Sequence, residues 1–153
     1  MDPDEVIERL GLVPHPEGGH YCETWRAASA PGERASGTAI YFLLRRGEVS
    51  HWHRVDAAEV WHHYAGGPLE LAIAERDDGP VRTYVLGTDL AAGERPQVVV
   101  PAHAWQHARP LGEWVLTGCT VSPAFDFDGF ELAAPGWSPG GWSPGGWSPA
   151  GGT

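Results

Sequence analysis

His51 and His53 stand two apart in GEVSHWHRVDAAEVWHHYAG, the stretch from Gly47 to Gly66. On an extended strand, side chains two apart share a face. The RVDAA segment that follows suits a turn. Glu59 to Ala65 then reads as a second strand, with Glu59, Trp61 and His63 on one face and His62 on the other. Two imidazoles and a carboxylate delivered from neighbouring strands can hold a divalent metal or move a proton. In the proton-transfer form His53, held by Glu59, is the base, and Tyr41 or His63 is the acid. The plainer alternative is that His53 and Glu59 hydrogen-bond each other across a pocket floor, because a buried carboxyl needs a partner. Tyr41, Trp61 and Trp105 are candidate pocket walls, since small-ligand sites are mostly aromatic with a few polar groups.

The elements that must position these groups are strands. Asp2-Pro3 is an N-cap and first-turn pair, and Val6, Ile7 and Leu10 make a short amphipathic helix that stops at Gly11. LVPHPEGGHY reads as a Pro/Gly-rich connection. From there to about Ala133 the chain alternates short apolar runs with turn residues. The predicted strands are Tyr21–Arg26, Thr38–Leu44, Ser50–Arg54, Glu59–Ala65, Leu69–Ala74, Val81–Leu86, Gln97–Val100, Trp105–Ala108, Trp114–Val121 and Phe130–Leu132. That many short strands without a second helical pattern mean an all-β sandwich or barrel. His103 and His107 could reach a barrel mouth, but their register is not fixed by the sequence. Residues 136–150 read GWSPG, GWSPG, GWSPA, and 136–153 is expected to be a disordered appendix to a domain spanning 1–135. A tail whose indoles dock on carbohydrate or on the domain is the alternative.

Composition narrows the function classes. The chain of 153 residues is one domain's worth, and its formal net charge is −10. Neither nucleic acid nor an anionic membrane surface is an expected partner, because each needs a basic patch. All ten bases are arginine. Without lysine there is no Schiff-base or P-loop chemistry. Cys22 and Cys119 have no CxxC spacing and read as reduced thiols. The acidic N-terminus is unlike a signal peptide, so a soluble, cytoplasmic protein is expected.

The opening stretch resembles the first motif of the cupin superfamily, two histidines and a glutamate before a closing glycine. His51-Trp52-His53 matches the histidine pair, and Glu59 through Gly66 matches the glutamate-to-glycine arm, with the gap after His53 one residue longer than usual. PAHAWQ at Pro101–Gln106 stands for the second motif but departs from it twice. His103 replaces its glycine, and Gln106 replaces its histidine ligand. LVPHPEGGHY, GTAIYFLL at 37–44, HRVDAAEVWHHYAGGPLEL at 53–71 and GCTVSPAFDFDGFEL at 118–132 are similar to one family within it, the small cupins numbered fifth. The resemblance covers nearly all of Leu12–Leu132. It implies an all-β double-stranded β-helix, or jelly roll, usually paired as a homodimer, and the short N-terminal helix read above is added to that fold. FDFDGF at Phe125–Phe130 would form part of that contact or close the core.

The family leaves position 51 open and implies no known reaction. If a divalent metal ion binds, the expected ligands are His51, His53 and Glu59 with Gln106 as a weak fourth, a set that suits iron, manganese, nickel or zinc, and otherwise no cofactor is expected. Three functions follow as expectations. The first is an isomerase or epimerase acting by proton transfer on a small polar, sugar-like or carbonyl substrate, with Trp61, Trp105 and Gln106 contacting the ligand. The second is a metal-dependent oxygenase or decarboxylase. The third is a metabolite-binding module without catalysis.

Overall fold

The computed structural model describes residues 1–144. Helix α1 (Pro3–Leu10) begins as its sequence dictates. The Asp2 carboxylate accepts the Glu5 N–H at 2.9 Å, and the helix ends at Gly11 in the left-handed region. Strands follow in the order β1 (Val13–Pro14), β2 (His20–Arg26), β3 (Thr38–Arg45), β4 (Ser50–Val55), β5 (Ala58–Gly66) and β6 (Leu69–Ala74). After them come β7 (Arg82–Leu86), β8 (Gln97–Val100), β9 (Trp105–Pro110), β10 (Trp114–Ser122) and β11 (Phe130–Leu132). The predicted strands therefore all form, most within a residue or two of their expected ends. β1 is the addition, made from what reads as a connection.

Two antiparallel sheets face each other. One has the order β1-β2-β3-β10-β5-β8 and the other β11-β4-β9-β6-β7. Between them Phe42, Leu44, Trp61, Leu69, Leu71 and Val115 build a dry core. Its free energy comes from apolar area taken out of water, about 25 cal/mol per Å2. α1 covers the outer face of the first sheet through Val6, Ile7 and Leu10, which with Leu12 just past the helix pack on Leu43 and Tyr41. No helix among the described residues is long and apolar enough to cross a membrane.

The start of the repeat segment is packed. Trp137 lies on Trp105 with ring centroids 4.7 Å apart, and Trp142 meets Trp52 edge-on at 5.7 Å. The Gly140 N–H donates to the Asp77 carbonyl at 2.9 Å. Trp52, Ala72, Ala74 and Trp105, on the outer face of the second sheet, supply apolar neighbours that the tail lacks in its own sequence. The expected boundary at 135 thus falls inside packed structure. The expectation of disorder for 145–153 lies outside the described residues.

Two bulges decide which side chains face inward. Along β4 and β9, Ser50 pairs with Ala108 and His53 with Gln106, so three steps on β4 oppose two on β9. Between β5 and β10 the register shifts at Leu116/Thr117, which pair with Ala65 and His63 and leave Tyr64 extra. Each added residue turns the side chains beyond it to the other face.

Candidate functional site

The barrel is plugged at one end and open at the other. The open end holds a cavity of about 150 Å3 whose polar wall includes His15, Glu17, His53 and Glu59. β5 delivers Glu59 and β4 delivers His53. The remaining pair comes from the short loop between β1 and β2, His15-Pro-Glu-Gly-Gly. There His15 N–H donates to the Gly19 carbonyl at 2.9 Å and Gly18 N–H to the His15 carbonyl at 3.0 Å. Gly18 has φ 110°, and a Cβ there would run into the Val49 carbonyl oxygen, so glycine is what lets the loop seat itself so closely. The loop is then tied to β4, because the His51 N–H donates to the Glu17 carbonyl at 2.8 Å. That bond occupies the bulged part of β4 and brings Glu17 in above His53.

The hydrogen bonds fix most of the protons. His53 Nδ1 lies 2.8 Å from the His51 carbonyl, which only accepts, so Nδ1 carries the proton and Nε2 is bare. Nε2 is 3.1 Å from Glu17 Oε2. Burial pushes the Glu17 carboxyl up to about 8 and lowers His53, so the neutral forms are the favoured pair and the Glu17 hydroxyl donates to Nε2. His15 Nδ1 accepts the Glu17 N–H at 3.1 Å, which leaves the His15 proton on Nε2. Burial, helped by His53, lowers His15 to about 4.

A second chain of bonds orients Glu59. The Trp61 indole N–H, which can only donate, reaches Gln106 Oε1 at 2.8 Å. The Gln106 amide must therefore turn its NH2 towards Glu59, and it donates to Glu59 Oε1 at 2.8 Å. Burial raises Glu59 to about 7, opposed by nearby His53 and reinforced by Glu17. The Cys119 thiol lies against this carboxyl and is pushed well up, first by burial and then by Glu59. At neutral pH a mostly protonated Glu17 and a Glu59 near half-protonation thus share one small cavity with a neutral imidazole.

Several expected site residues lie elsewhere. His51 does not join His53, because the β4 bulge turns it outward, where its Nε2 meets the Ala134 carbonyl at 3.0 Å. Tyr41 alternates with inward-facing Ile40 and Phe42 on β3, so it packs under α1 on the outer face. Trp105 lies on the outer face of the second sheet, with its indole N–H on Asp77 Oδ1 at 2.8 Å and the Arg54 guanidinium 4.4 Å above its ring. His63 is past Trp61 towards the plugged end, bonded through Nε2 to the Gly67 carbonyl at 3.0 Å. Trp61 is core, reaching the site only through Gln106. Of the named groups His53, Glu59 and Gln106 are brought together. His62 faces outward to Thr120, 3.0 Å away, as expected. His107 also faces outward, between Trp52 and Trp142, and His103 sits in the preceding loop at φ 69°.

The expected metal ligands do not fit a metal. His51 points away, both His53 nitrogens are engaged, and Gln106 Oε1 is taken by Trp61. Among the described residues no three His, Cys, Asp or Glu side chains are arranged to hold an ion. The sequence reading missed His15 and Glu17. The available signal was an acid and a histidine flanking proline just before two glycines, a loop tight enough to be pressed into a barrel mouth.

The sheet order, the barrel and this pocket at its open end meet a clear counterpart. The profile of the family described as "Cupin superfamily (DUF985)" matches residues 4–133. The chain belongs to this cupin family. Among solved structures, this cupin is similar to a structural-genomics protein of Shewanella oneidensis, with 43% identity, a TM-score of 0.82, and coverage of 88% of this chain and 85% of that one. A hypothetical protein from Leishmania major is 33% identical with a TM-score of 0.79, covering 87% and 88% of the two chains. Oxalate decarboxylase of Bacillus subtilis shares the fold at 15% identity and a TM-score of 0.60, over 78% of this chain and 29% of that chain. No curated protein matches the chain.

Proposed function

We propose that this cupin is an isomerase-type enzyme that moves a proton on a small polar carbonyl substrate held in the open end of its barrel. One observation carries the reading: two buried carboxyls, Glu17 and Glu59, face one cavity with a buried imidazole 3.1 Å from one of them. Burying acids without a cation costs stability, and a fold without a use for them would replace them with apolar groups. Values near 7 and 8 suit acid–base work at neutral pH, where each group is present in both protonation states. Glu59, the lower of the two, takes the proton from the carbon next to the carbonyl. Its orientation is set beforehand by Gln106 and Trp61. Glu17 holds the proton that is returned, and His53 Nε2, 3.1 Å away, exchanges it. A cavity of about 150 Å3 is below the roughly 300–1,000 Å3 of drug-sized sites, so the substrate is a small metabolite.

Exchange of solvent deuterium into small ketones, aldehydes and hydroxyacids, followed by proton NMR, tests this. Exchange at the carbon next to the carbonyl is expected, and Glu59→Gln should lower its rate by about 10²–10⁴. Exchange that proceeds unchanged in Glu59→Gln and His53→Ala would remove the reading.

A further inference from the structure

The charges on the cavity wall are lopsided. Glu17, Glu23 and Glu59 line it, and among the described residues it has one guanidinium, Arg26. That guanidinium is already committed, donating to Glu23 Oε1 at 2.7 Å and to the Phe125 carbonyl at 2.9 Å. Glu17 and Glu59, the two deepest acids, are left without a balancing cation, and the chain has no lysine to lend one. The rim above them is aromatic. The Phe125 and Phe127 rings meet edge-to-face at 4.9 Å, and Tyr21 packs against His15 at 4.4 Å. Ring faces and carboxylates both attract a cation and both repel an anion.

We propose that the pocket binds a small ligand bearing an ammonium group, with that group at Glu17 and Glu59 and its alkyl part against Phe125 and Phe127. It rests on the site described above being a ligand pocket, and an ammonium seated on both carboxyls would block the proton transfer proposed there rather than undergo it. The ammonium supplies a positive charge against which the carboxyls can ionise, which no cation inside the fold, among the described residues, offers them. Its N–H donors match their oxygens, and the cavity admits only a few carbons beside it. The formal net charge of −10 draws cations towards the molecule from a distance. The carboxyls and imidazoles are not grouped to enclose a metal ion, which separates an organic cation from a divalent one.

Isothermal titration of the full chain at neutral pH with methylammonium, tetramethylammonium and ethanolamine, against acetate, glycolate and acetamide, tests the proposal. At least one amine should bind one to a chain, about tenfold or more tighter than any acid or amide. Glu17→Gln and Glu59→Gln should each weaken that binding about tenfold, Phe127→Ala about threefold, and surface Glu75→Gln not at all. Phe127 is half exposed, so its variant keeps the test readable even if a buried glutamine disturbs folding. Acetate or glycolate binding as well as the amines, no saturable amine binding, amine binding undiminished in both glutamine variants, or Mn2+ displacing the amine from the site would overturn it. Amine binding without deuterium exchange would remove the proposed reaction and leave this inference standing.

Discussion

The two ends of this barrel are built by the same strands and do opposite things. Along β5, Trp61 and Glu59 are two residues apart on one face, yet Trp61 closes a dry core and Glu59 stands in a polar cavity. Along β3, Phe42 plugs and Ile40 lines. The plugged end is held by packing, and its apolar side chains lower the energy of the fold by leaving water. The open end is held against the preference of its own groups, with two acids and two histidines pushed towards their neutral forms by burial. The difference teaches that the stability of this fold is earned at one end and drawn upon at the other.

Mutations can break or sharpen that contrast. The largest effect belongs to the plug: Phe42→Ala should cost about 3–5 kcal/mol in urea unfolding, with the cavity left inside the core as the cause. At the open end the sign should reverse. Glu17 and Glu59 hold protons more tightly in the folded chain than at the ordinary value of 4.5, so their contribution is fully present below about pH 4.5 and is lost as pH rises to about 7 and 8. Glu17→Gln, which cannot ionise, should therefore raise stability by about 3 kcal/mol or more at alkaline pH and leave it nearly unchanged in acid. Equal melting temperatures for the two proteins across that range would show that Glu17 ionises freely and that the two ends do not differ in this way.

The outer face of the second sheet is intermediate between those extremes. Trp142→Ala removes a half-buried ring from Trp52 and His107 and should cost about 1–2 kcal/mol, read as a drop in melting temperature. His51→Ala should have the smallest effect, within about 0.5 kcal/mol, with deuterium exchange unaltered. A loss of exchange in that variant would mean that His51 and His53 converge on the cavity despite the bulge in β4.

How much of this was legible in the sequence depends on whether the signal is local. Strand positions were, because alternation and turn residues are written in neighbouring letters: Gln97–Val100 and Leu69–Ala74 form where the pattern puts them. That His53 and Glu59 turn inward together was legible because each keeps the face that its strand gives it. His51, Tyr41 and Trp105 were assigned to the pocket and lie outside it. Facing depends on which strand lies opposite and on residues inserted into the pairing, and Ser50–His53 looks like any other extended run until β9 is set beside it. Gln106 stood where a ligand was expected and instead relays the orientation of Trp61 to Glu59.

By itself the sequence determined an all-β chain with one capped helix, an acidic net charge, and an imidazole and a carboxyl on two successive strands, because strand period, capping and charge are properties of short segments. That the two strands lie in opposite sheets and face each other across the barrel was not among them. Tertiary structure alone decided that Glu17 completes the site, that His51 leaves it, and that Trp137 and Trp142 lie on the sheet. Those outcomes come from a loop pressed against β4, a bulge in its pairing and an apolar face assembled from distant strands, all of which exist only once the barrel has closed.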